Sequence, residues 1–155
     1  MTVPLCLANN FIEWGARETV PMTPLKLQKL LYLYYARHFY LCKKPPFPEC
    51  FVKWPYGPAL PDVYEALKDF GGKPIARPLR DMYGEAPSAE PGAEPFRTVF
   101  RDVITRFGRV PARELVDITH DGLPGSPCVT AWQQAEMGCV LSGDAVHEDG
   151  RVLFA

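Results

Sequence analysis

The segment that follows Thr23 limits what this chain can fold into more than any other. Thr23 is suited to cap a helix N-terminus and Pro24 to open its first turn, so a helix is expected over residues 24–42. Projected at about 100° per residue, Lys26, Lys29, Leu33, Arg37 and Tyr40 fall within an arc of roughly 80°. The rest of the circumference carries leucines, tyrosines and Phe39, more apolar surface than one neighbour could hide. This helix is therefore expected at the centre of a mainly α, single-domain bundle covering residues 1–155. Two polar residues, Gln28 and His38, fall inside its apolar region, and each needs a backbone partner in a packed loop, expected to be the Trp54–Pro58 bend.

The remaining segments supply what would pack around it. Residues 4–17 space Leu5, Ala8, Phe11 and Ile12 as an amphipathic helix. Residues 50–54 read as a short strand, and Trp54-Pro55-Tyr56-Gly57-Pro58 as a turn, because two prolines bracket a glycine. A helix over 61–70 places Val63, Tyr64, Leu67 and Phe70 on one face and stops at Gly71-Gly72. Further helices are expected over 96–107, over 111–119 and from Ser126-Pro127 onward, with a small strand at 75–80 and a C-terminal hairpin about Asp149-Gly150. Residues 84–95, GEAPSAEPGAEP, hold no aromatic or branched aliphatic side chain and are expected to form a mobile spacer.

Charge and composition exclude several functions. Seventeen Lys and Arg against eighteen Asp and Glu leave a net charge of −1, which provides no field to draw in a nucleic-acid backbone or an anionic lipid surface. A DNA-binding regulator is disfavoured for the same reason. No stretch reaches the roughly 20 apolar residues of a membrane span, and the N-terminus lacks a basic start, so a cytoplasmic location is expected. Five cysteines without a CxxC pair signal neither a disulfide framework nor zinc and are expected as small buried thiols. The histidines at 38, 120 and 147 lack metal-ligand spacing, and no cofactor motif occurs. A small hydrolase could be assembled only from His120 with Asp121 and a distant Cys50 or Cys128, so action by binding rather than catalysis is expected.

Three stretches carry a family resemblance. Ala8-Asn9-Asn10-Phe11-Ile12, followed by the run from Thr23 to Tyr32 (TPLKLQKLLY), resembles the opening of the Panacea, or SocA-like, antitoxin domain. The run from Trp54 to Tyr64 (WPYGPALPDVY) and the Leu115–His120 stretch ending in Thr-His are similar to two later motifs of that domain, in the same order. The chain departs from the pattern after Thr119-His120, where Ser126-Pro127-Cys128 stands and the tryptophan comes later, at Trp132. The resemblance implies an antitoxin of a bacterial or phage toxin–antitoxin pair, neutralising a cognate toxin by direct binding. It also implies an alternative, an adaptor that delivers the toxin to an energy-dependent protease. Thr23, Pro24, Gln28, Trp54, Tyr56, Gly57, Pro58 and His120 read as scaffold, and Lys26, Lys29, Arg37 and Tyr40 as a candidate partner-binding stripe. Homo-oligomerisation is left open.

Overall fold

The computed structural model describes residues 1–155 and is built around helix α2 (Pro24–Cys42). The Thr23 side chain accepts the Lys26 amide at 3.2 Å, capping the helix as its sequence predicts. From Lys26 to Ala36 every side chain is buried, because neighbours lie on all sides. These are α1 (Val3–Glu18), α3 (Pro61–Leu67), α4 (Phe96–Phe107), α5 (Ala112–Asp121), α7 (Gly143–Val152) and strand β2 (Gly57–Ala59). A helix that is apolar nearly all round is stable in water only in such a place. The interior is one cluster of 32 buried side chains, in which Tyr32 meets Phe51 edge-on and Tyr35 meets Phe47 and Phe51, each at 5.1 Å between ring centres.

Strand β1 (Val52–Trp54) pairs antiparallel with β2 in the register Val52 to Ala59, Lys53 to Pro58 and Trp54 to Gly57. The far edge of β1 is closed by residues 138–141, through hydrogen bonds from the Lys53 amide to the Cys139 carbonyl and from the Leu141 amide to the Phe51 carbonyl. Helix α3 runs into a 3-10 turn, Lys68–Phe70, and ends at Gly71. Val63 and Leu67 point inward from it, whereas Tyr64 and Phe70, expected on the same face, are exposed.

Three expected elements differ. Residues 75–80 are not a strand: the Ile75 amide bonds once, to the Met22 carbonyl, and the Leu79 amide goes to the Asn9 side chain, so no ladder can form. The helix expected from Ser126 begins only at α6 (Ala131–Gln134), where Thr130 and Gln133 form a reciprocal capping box. The C-terminal hairpin is instead helix α7, capped by Ser142. Its Asp149-Gly150 pair resembles a turn in sequence, but Asp149 is a buried acceptor and Gly150 packs against α2. A Cβ on Gly150 would overlap the Ala36 carbonyl.

The asparagines of α1 fasten the segment that precedes α4. Asn9 Nδ2 donates to the Leu79 and Pro87 carbonyls at 2.9 Å, and Asn10 exchanges two hydrogen bonds with the Ala89 backbone, at 2.8 and 3.0 Å. Residues 84–95 are thus tied to α1 at Pro87 and Ala89 while lacking regular structure before their final turn. No helix is long and apolar enough to cross a membrane.

Candidate functional site: an aromatic groove floored by a buried lysine

Helix α2 positions the site through one amide side chain. Gln28 Oε1 accepts the Leu60 amide and Gln28 Nε2 donates to the Leu60 carbonyl, both at 2.9 Å. These two bonds fix the chain where β2 leaves for α3. The Gln28 partner is therefore the backbone just after the Trp-Pro-Tyr-Gly-Pro bend. His38, expected to bond the same bend, does not reach it, because it lies about three turns further along α2. Its Nδ1 donates instead to the Lys44 carbonyl at 3.0 Å, just past the helix end, and burial depresses its pKa.

The bend itself divides into a buried half and an exposed half. Gly57 and Pro58 are buried, and Gly57 has φ +105°, a conformation costly for any residue with a side chain. It also leaves room for two neighbours, since a Cβ there would lie 3.2 Å from both Lys29 Nζ and Thr119 Oγ1. Tyr56, read from sequence as packed scaffold, is 72% exposed. Trp54 is half-buried, meets Tyr64 edge-on at 5.3 Å, and its carbonyl accepts Trp132 Nε1 at 2.7 Å.

Between this bend, the first turn of α2 and α3 lies a groove of about 320 Å³ with mainly apolar walls. Leu25, Tyr56 and Tyr64 stand exposed along it, and Lys29 forms part of its floor. Lys29 is 1% exposed; its Nζ donates to the Pro58 carbonyl at 2.8 Å, and it has no ion-pair partner. Burial alone pulls its pKa down to about 7.

The basic stripe drawn from the helical projection is not a wet face. Lys26 is 4% exposed and Lys29 less, because neighbours cover the arc they occupy. Arg37 binds Asp102 of α4 at 3.0 Å and the Gly150 carbonyl of α7 at 3.1 Å, with Phe154 and Tyr40 beneath its guanidinium, so it joins three helices. Of the four stripe residues the groove contains only Lys29. The sequence reading missed Leu25 and Tyr64 as groove residues. A signal for Tyr64 was present, since Val63 and Tyr64 are adjacent and about 100° apart on a helix and cannot share one inward direction.

On the other side of the hairpin, the His120 ring lies against Trp132, and His120 Nδ1 donates to Asp121 at 2.6 Å. Lys53 Nζ sits 3.9 Å from the centre of the Trp132 ring and donates to the Ala135 carbonyl. None of the five cysteines is buried, contrary to expectation: Cys6 on α1 and Cys42 at the end of α2 are half-buried, and Cys50, Cys128 and Cys139 are exposed in loops, since none falls on an inward helix position. No three His, Cys, Asp or Glu side chains gather into a metal-binding group.

Fold and site together define a mainly helical domain with a central helix enclosed by its neighbours and an aromatic groove at the foot of that helix. The chain belongs to the family described as "Antitoxin SocA-like, Panacea domain", whose model matches residues 27–123. That span runs from within α2 through the hairpin, α3, α4 and α5; the asparagine pair of α1 and the Thr23-Pro24 start lie before it. No curated protein and no solved structure matches the chain.

Proposed function

We propose that this protein is an antitoxin that neutralises a cognate toxin in the cytoplasm by stoichiometric binding, without turnover. Membership of an antitoxin-like family supports a protein partner. The observation that carries the reading to a place on the molecule is Tyr56. A tyrosine held 72% exposed on a rigid bend, with Leu25 and Tyr64 beside it, is the kind of large, low-entropy anchor that dominates protein interfaces. The bend is held by Gln28 and Lys29 from below, so the backbone beneath the aromatic surface needs little ordering on association.

We read His120 as structural, because its ring lies against Trp132 and no serine, threonine or cysteine side chain is hydrogen-bonded to either ring nitrogen as an activated nucleophile would be. Co-expression with the product of the neighbouring reading frame tests the proposal. The expected result is that this product arrests growth alone, that this protein restores growth, and that the two co-purify in a fixed ratio. A product harmless by itself, or still lethal in the presence of this protein, would refute the antitoxin reading. Loss of the toxin only while an energy-dependent protease is active would replace sequestration by delivery for degradation. An enzymatic role requires His120→Ala to abolish rescue while the complex still forms; the expected outcome is rescue in proportion to binding.

A further inference from the structure

The charged groups of the groove are one-sided. Its walls include two lysines and no aspartate or glutamate. Lys68 is already paired, with Nζ 2.7 Å from Glu65. Lys29 has only the Pro58 carbonyl, a neutral acceptor that occupies one of the three donors of an ammonium group. A cation withdrawn from water without a counter-charge is held at a free-energy cost that an incoming anion would offset, since their attraction is strongest where water is excluded. Around this floor the rim is apolar, with Leu25, Tyr56 and Tyr64 exposed. Apolar walls do not suit a nucleic-acid backbone, whose phosphates would lose hydration, and the net charge of −1 supplies no attraction at long range.

Building on the antitoxin reading, we propose that the groove receives an apolar segment of the toxin carrying one Asp or Glu, whose carboxylate pairs with Lys29 while flanking apolar side chains cover Leu25, Tyr56 and Tyr64. Lys29 then reports correct seating: an apolar segment without an acid leaves the amine unpaired, and an acidic segment without apolar flanks leaves the rim wet. Selection of the partner rests on both features at once.

The test uses the full chain and the product of the neighbouring reading frame, with affinity measured by titration calorimetry. Leu25→Glu and Tyr56→Ala each alter an exposed rim residue and should weaken binding at least about tenfold with an unchanged melting temperature. Lys29→Met should weaken it by about thirtyfold or more. Among Asp→Asn and Glu→Gln variants of the partner, one should weaken binding to the same degree and have no further effect in combination with Lys29→Met. If Lys29→Met does not fold, the amide scan of the partner decides alone, because the inference requires one sensitive acid.

Rim variants that bind like wild type, or a scan in which no acid matters, would overturn the groove assignment. So would a homodimer of this chain that Tyr56→Ala or Leu25→Glu dissociates, since the groove would then serve a second copy. Absence of any wild-type complex would overturn the antitoxin reading as well, whereas a complex indifferent to these changes removes the groove assignment only.

Discussion

The Tyr32 hydroxyl donates to Asp149 Oδ2 at 2.5 Å, joining the middle of α2 to α7 across 117 residues of sequence. The Ala131 amide donates to the same carboxylate, at 3.2 and 3.3 Å to its two oxygens, so Asp149 also sets the start of α6. Removing its side chain leaves two buried donors without an acceptor. Asp149→Ala should therefore cost about 3 kcal/mol of stability, read from denaturant unfolding.

Burial raises the Asp149 pKa to about 6, opposed in part by the hydrogen bonds it accepts from Tyr32 and the Ala131 amide, which favour the carboxylate. A folded-state pKa above the unfolded value means that the folded state holds the proton more tightly. This contribution is fully present below about pH 4 and is lost as pH rises through 6, at roughly 1.4 kcal/mol per pH unit. Asp149→Asn should flatten the stability profile between pH 4 and 6, measured by urea midpoints across that range.

Lys29 has the opposite dependence. Its pKa falls to about 7 on burial, so between pH 7 and the unfolded value near 10.5 the unfolded chain binds the extra proton. Stability should rise with pH over that window. Lys29→Met, which keeps most of the side-chain volume without the charge, should be more stable than wild type at pH 6, with the gap narrowing toward pH 10. Thermal melts of the two proteins over this range would show whether the curves converge.

Gly150 marks the closest approach of α7 to α2. Any Cβ there meets the Ala36 carbonyl and also lies 2.9 Å from Tyr40 Cβ, both on a helix enclosed on its other sides. Gly150→Ala should destabilise the protein by roughly 2–3 kcal/mol despite the higher helix propensity of alanine. The melting temperature provides the measurement.

Asn10→Ala removes both side-chain bonds to Ala89. We propose that residues 84–95 are mobile between their attachments, which are the Asp81 bonds to the Gly84 and Glu85 amides and the α1 bonds at Pro87 and Ala89. Amide exchange should then be fast at Glu90 and slower at Ala89. In Asn10→Ala the Ala89 amide should exchange at the rate of its neighbours, with core amides of α2 unchanged, as hydrogen-exchange mass spectrometry or NMR would show.

The central position of α2 was legible in the sequence because a circumference of leucine and tyrosine leaves only one place for such a helix in water. The same argument required partners for Gln28 and His38, and both found backbone groups. The 96–107 helix was legible for a related reason: its apolar side chains repeat at helical spacing up to Gly108. What the projection could not reveal is where a long side chain ends. Lys26 and Lys29 share an arc with Arg37, yet coverage by neighbouring elements turns the arc into interior, and Lys29 ends on a carbonyl from residue 58. Gly150 is comparable: the Asp-Gly pair has the local chemistry of a turn, and only contact with Ala36 and Tyr32 shows why those residues stand there. Local spacing and capping thus determined which segments coil and which side of each is apolar. The tertiary structure decided which polar atoms meet across the chain and where the groove opens, because those depend on how separate segments pack, which no short window of residues contains.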